Sequence, residues 1–154
     1  MSFYEVQPLG WVRGGRTVPL DDDWGSVRSR IEFDPGALDV MATDGLDEFS
    51  HVEVVYLFDR VDAGEVCRGA RHPRGRQNWP FVGILAQRAK DRPNRIGTTV
   101  CNLDGVGPLW IEVTGLDAID DTPVLDVKPY MLGFAPRDAV REPAWATELM
   151  KGYW

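Results

Sequence analysis

HVEVVYLFD, residues 51–59, is the most apolar run in the chain. Valine and aromatic side chains fill it, and such shapes pack well on a pleated, half-buried surface. It reads as a central β-strand. Working outward, YEVQPLGWV (4–12), SRIEF (29–33), FVGILAQ (81–87), GTTVCNLDGV (97–106), LWIEVTGLD (109–117) and PVLDVKPY (123–130) have the same strand-like character. The link Asp104-Gly105-Val106-Gly107-Pro108 between two of them is a hairpin signal. Short strands punctuated by Gly and Pro predict a mainly β fold, an antiparallel barrel or sandwich.

Helical signal is thin. DPGALDVMATDGL (34–46) offers Asp34 as an N-cap and Pro35 at the first helical position. EPAWATELMKGYW (142–154) starts at Pro143, gathers Trp145, Leu149 and Met150 near one face, and has Gly152 as a stop. One or two short helices are therefore expected. The βαβ rhythm, the GxGxxG turn and the Walker loop are all missing, which excludes Rossmann and P-loop nucleotide sites.

A chain of 154 residues predicts a single domain, 1–154. At that length a core forms without staples. Cys67 and Cys101 lack CxxC spacing, and His51 and His72 lack an HExxH pattern. No metal site is expected, and the cysteines read as a reduced pair in a cytoplasmic protein. The N-terminus has no basic stretch followed by an apolar run, so neither a signal peptide nor a membrane span is expected.

The formal net charge is -7, which argues against non-specific nucleic-acid binding. The charge is unevenly spread. Residues 68–95 hold Arg68, Arg71, Arg74, Arg76, Arg88, Lys90, Arg92 and Arg95 against one acid, Asp91. Two readings stay open: a localised anionic partner, or pairing of these arginines with the acidic remainder.

Three stretches are more polar than a core requires. In ARHPRGRQNWP (70–80), His72 precedes a proline and is biased to an extended state. Arg74-Gly75-Arg76 then predicts a tight turn with both guanidiniums outward, as a site or as a solvated loop. In AQRAKDRPNRIGTT (86–99), Arg92-Pro93-Asn94 fixes one backbone angle and follows it with a residue tolerant of the left-handed region. Such a turn with arginines suits an anion or a carboxylate, or is a charged turn before a strand. In GLDAIDDTPVLDVKPY (115–130), Asp117, Asp120, Asp121 and Asp126 lie close to Lys128 and Tyr130. Asp126 and Lys128 alternate, so both point to one side of a strand, as an ion pair or as a site.

Taken together, these blocks resemble the TsaA-like family, whose characterised branch is TrmO, a tRNA methyltransferase. PLGWVR (8–13) is similar to the family's I-G-x-V opening, and LDEFSHVEVVYLF (46–58) to its L-x-x-F-S-H-I-W-V-x-x-x-F strand. HPRG (72–75), GILAQRAKDRPNRIG (83–97) and GLDAIDDTPVLDVKPY (115–130) resemble its three signature blocks, in order. The resemblance implies a barrel-like, non-Rossmann methyltransferase that uses S-adenosyl-L-methionine and works as a homodimer. TrmO methylates N6 of threonylcarbamoyl-adenosine beside the tRNA anticodon. Two positions depart from the family pattern. Arg95 replaces the second proline of R-P-N-P-I-G, and Asp121 replaces the glycine of D-G-T-P. Longer members also carry a C-terminal extension, and this chain is read as a short form without it.

By this resemblance the cofactor lies among Gln87, Arg88, Arg92, Pro93, Asn94, Leu116 and Tyr130. Asp126 is the candidate base or cofactor-amine partner, oriented by Lys128 and Tyr130. His72, Arg74 and Arg95 face the substrate. The alternatives are a methyltransferase of the same fold acting on a small molecule or another nucleic acid, and a non-catalytic module binding S-adenosylmethionine or tRNA.

Overall fold

Along residues 51–57 burial alternates at every position: Val52, Val54 and Tyr56 are buried and their neighbours are half-exposed. That period of two belongs to a strand with one face on a core. The computed structural model describes residues 1–154. In chain order the strands are β1 (Gly10–Arg13), β2 (Arg28–Phe33), β3 (His51–Leu57), β4 (Ala70–Arg71), β5 (Val82–Gly83), β6 (Ile96–Gly107), β7 (Trp110–Thr114) and β8 (Pro123–Pro129). Six of them close an antiparallel barrel in the order β1-β2-β7-β6-β3-β8, while β4 and β5 pair separately. Closure leaves the barrel no long free sheet edge.

The interior is filled by Val12, Ile31, Val54, Ile111, Val113 and Val124, all fully buried, with Phe33, Val52, Tyr56 and Cys101 around them. Each such apolar side chain contributes about 1.5–3 kcal/mol relative to exposure. Leu116 and Ala118, in the loop after β7, join the same cluster and plug one end of the barrel.

Several expected elements differ. The strand expected over 4–12 is confined to Gly10–Arg13, the stretch that pairs in register with β2 and, at Gly10 and Trp11, with β8. FVGILAQ is not one strand. Val82 and Gly83 pair with β4, and Ile84–Ala86 turn as a 3₁₀ helix. The helix over 34–46 is replaced by 3₁₀ turns at Val40–Thr43 and Leu46–Glu48. The only α-helix, α1, is Ala144–Leu149, with extended Pro143 as its cap rather than its first helical residue. The β6–β7 hairpin turns at Pro108–Leu109, directly between Gly107 and its partner Trp110. Asp104, expected in the turn, sits instead in a bulge, where the register passes from Leu103↔Val113 to Gly105↔Glu112. No helix is long and apolar enough to cross a membrane.

Candidate functional site

The basic loop 86–95 is stapled by its own arginines. Arg88 donates to the Thr98 carbonyl at 2.6 Å, Arg92 to the Gln87 carbonyl at 2.6 Å, and Arg95 to the Val61 carbonyl at 2.5 Å. These carbonyls lack strand partners, and the guanidiniums satisfy them. Each arginine carries five N–H donors, so most remain free for a ligand. Asn94 and Arg95 both stand in the left-handed region, at φ 62 and 53. Asn tolerates that region; Arg has no such preference. Pro93 sets the turn between Arg92 and Asn94. Gln87 is buried, and its amide nitrogen donates to the Arg71 and Val82 carbonyls at 3.0 Å each. It braces the β4–β5 pair from the loop.

Beside this loop, the HPRG turn keeps His72 extended and Arg76 exposed as expected, but not Arg74. Arg74 does not project outward. It stands at φ 53 and forks onto Asp22, with Nη2 to Oδ1 at 2.9 Å. Arg76 lies over the Trp79 ring at 4.7 Å. His72 Nδ1 is 2.6 Å from the Trp79 carbonyl. A carbonyl only accepts, so Nδ1 is the donor in this contact. Arg71 forks onto Asp91 across the loop. Burial pushes the Asp91 carboxyl up, but the Arg71 hydrogen bonds, with help from Lys90, outweigh it and hold the group below its ordinary value.

A β-bulge sets the third block. Tyr56 pairs with Val124 and Val55 with Asp126, so Leu125 is the extra residue in β8. Without the bulge, Asp126 and Lys128 would share the inward phase of Val124. With it, both face outward and Val127 packs against the core. Lys128 Nζ meets Asp126 Oδ2 at 2.6 Å. That hydrogen bond, and the charge behind it, raise the Lys128 ammonium pKa. Thr98, Val55 and Asp126 stand side by side on β6, β3 and β8. Two strand spacings, about 10 Å, separate Asp126 from the strand residue that anchors Arg88. Glu53 faces Lys128 in the next outward row and accepts from Thr98 Oγ1 at 2.9 Å.

Leu116, backbone included, is fully buried in the core cluster, so it presents no surface to a ligand, unlike the cofactor contact expected of it. Asp121 takes the left-handed conformation, φ 69, that its place in the turn requires. Tyr130 lies apart. Its amide donates to the His51 carbonyl, whereas Ile96, next to the 92–95 turn, pairs with Leu57. The length of β3, roughly 20 Å, separates them within one chain.

The structure adds a cluster that the sequence pattern did not single out. Asp117 Oδ1 accepts from Tyr56 Oη at 2.9 Å and from Thr99 Oγ1, and Oδ2 accepts from Tyr153 Oη. These donors are 61, 18 and 36 residues away in sequence, so no local spacing could reveal them. Burial, and next the Asp117 charge, raise both tyrosine pKa values far above the ordinary one. Burial pushes the Cys101 thiol up to about 12, and Asp117 adds to it. Arg74 and Arg88 both lie close enough to Tyr153 to act on it electrostatically. The cluster therefore adjoins the two basic loops.

Comparison with known proteins places this geometry in context. Residues 17–135 match the model of the tRNA-methyltransferase O N-terminal domain. RcsF of Pseudomonas aeruginosa, provisionally named an S-adenosylmethionine-dependent methyltransferase, is 39% identical over 135 residues. The match covers 83% of this chain and 57% of RcsF, so the chain spans little more than half of that relative. A Methanothermobacter thermautotrophicus protein named "Probable S-adenosyl-L-methionine-binding protein" is 36% identical over 132 residues, 81% of this chain and 88% of its own length. The crystal structure of TrmO from P. aeruginosa superposes with a TM-score of 0.75 at 27% identity, covering 94% of this chain and 62% of that one.

Proposed function

The chain belongs to the tRNA-methyltransferase O family, and from that premise we propose that it is an S-adenosylmethionine-dependent methyltransferase acting on N6 of threonylcarbamoyl-adenosine in tRNA. The observation that carries the reading is the bulge-turned Asp126–Lys128 pair, two strands from the Arg88 anchor on one outer face. The donor set suits the cofactor. Arg88 and Arg92 have unused N–H groups for its carboxylate. When bound, S-adenosylmethionine supplies an electrophilic methyl group on a sulfonium.

The chain's own task is alignment and proton removal. Arg88 and Arg92 would hold the cofactor, which would supply its methyl carbon to a nitrogen of the acceptor, the carbon–sulfur electron pair staying on sulfur. The nitrogen must also lose its proton, and Asp126 is the acceptor, held in place by Lys128. His72 and Arg74 face the acceptor nucleoside, with Arg95 at the rim. Tyr130, at the far end of β8, serves a site completed by a second copy in a homodimer. Leu85, Leu132 and Phe134 support that assembly, because they are 81%, 88% and 84% exposed beside the site's two ends.

A second reading, a small-molecule acceptor, is favoured by the net charge of -7, since phosphate neutralisation drives tRNA affinity. The test is transfer of a labelled methyl group to tRNA from cells lacking this enzyme, with nucleosides resolved by mass spectrometry. Label on threonylcarbamoyl-adenosine is expected. Cofactor binding without that label would leave the small-molecule reading.

A further inference from the structure

Residues 152–154 lie across the end of the barrel that Leu116 and Ala118 plug. Two backbone bonds hold them: the Asp23 amide donates to the Gly152 carbonyl at 2.9 Å and the Trp24 amide to the Tyr153 carbonyl at 2.8 Å. Gly25 is flush against the Trp154 backbone, where a Cβ would come within 2.6 Å of the Trp154 carbonyl carbon. The third attachment is the Tyr153 hydroxyl on Asp117. Tyr56 and Thr99, both from barrel strands, serve Oδ1, whereas Tyr153 is the donor on Oδ2. A carboxylate oxygen drawn from water needs such a donor. The segment gripped by this strap continues directly into Asp22, the partner of Arg74.

We propose that Tyr153 is a positioning residue: latched on Asp117, it straps 152–154 over the barrel end and fixes the 22–25 segment that holds Arg74 in place. The role of Arg74 rests on the methyltransferase reading above; the latch does not. The contact path is Asp117 to Tyr153, Tyr153 to Trp24, and Asp22 to Arg74, each step a hydrogen bond or a peptide link.

The test uses Tyr153→Phe in the full chain, which removes one hydroxyl and keeps the ring. Hydrogen exchange at the Asp23 and Trp24 amides is expected to speed up about tenfold, while the Val54 and Ile111 amides of the barrel keep their protection. In methyl transfer, KM for the acceptor tRNA rises about tenfold and kcat stays within about twofold, because the Asp126–Lys128 pair is untouched. Asp22→Ala, which releases Arg74 but leaves the latch, raises KM similarly and leaves the Trp24 amide protected. Unchanged exchange in Tyr153→Phe overturns the latch. Faster exchange with an unchanged KM overturns the positioning role. If the native chain transfers no methyl group, the role of Arg74 falls with that reading, and the exchange rates still decide the latch.

Discussion

Asp117 shows how one residue can join distant parts of this chain. In the sequence it is one acid among four in GLDAIDDTPVLDVKPY. In the fold it collects hydroxyls from β3, from β6 and from the segment after α1. Its consequence for pH dependence follows from Tyr56 and Tyr153, whose folded pKa values lie far above the ordinary tyrosine value because of burial and then Asp117. A group held protonated only when folded stabilises fully below its unfolded pKa and loses that contribution above it. Stability to urea should therefore hold steady up to about pH 10 and fall beyond it. Tyr153→Phe should make the fall shallower, since one fewer proton is linked to unfolding. An equally steep decline in the variant would show that Tyr153 is not linked. Asn94 and Asp121 were legible as left-handed residues from their short polar side chains. Arg74 and Arg95 share that backbone region, and nothing in an arginine announces it.

At the scale of elements, the strand reading drawn from β-branched and aromatic runs identified β3, β6, β7 and β8 because each has one face on the core. It also showed that Asp126 and Lys128 share a side. It could not show which side, because the extra residue Leu125 resets the phase of β8. Bulges depend on the partner strand, and a partner strand is a long-range fact. FVGILAQ misled for the opposite reason: its apolar residues Phe81 and Leu85 are exposed rather than packed. Close packing between β6 and β3 can be tested at Gly97. A Cβ there would fall 2.6 Å from the Tyr56 ring and 2.9 Å from Phe58. Gly97→Ala should therefore destabilise the barrel by about 1–3 kcal/mol, read as a lower urea midpoint with an unchanged slope. A neutral substitution would mean that Tyr56 has room to move.

For the whole molecule, pairing with the acidic remainder accounts for part of the basic strip. Arg71 and Arg74 pair with Asp91 and Asp22, while Arg88, Arg92 and Arg95 brace loop carbonyls and keep donors free. An acidic protein thus carries a basic rim organised from within. The fold was readable because barrel strands leave a local period. The site was readable only as blocks, because its geometry depends on a bulge, on loop arginines and on contacts across the chain. The central claim, that these blocks form an S-adenosylmethionine site, is tested most directly by calorimetric titration of S-adenosylmethionine into the native chain and into Arg92→Ala. The account predicts saturable binding to the native chain and affinity weakened about tenfold or more in the variant, about 1.4 kcal/mol. No binding to the native chain, or equal affinity in both, would contradict it.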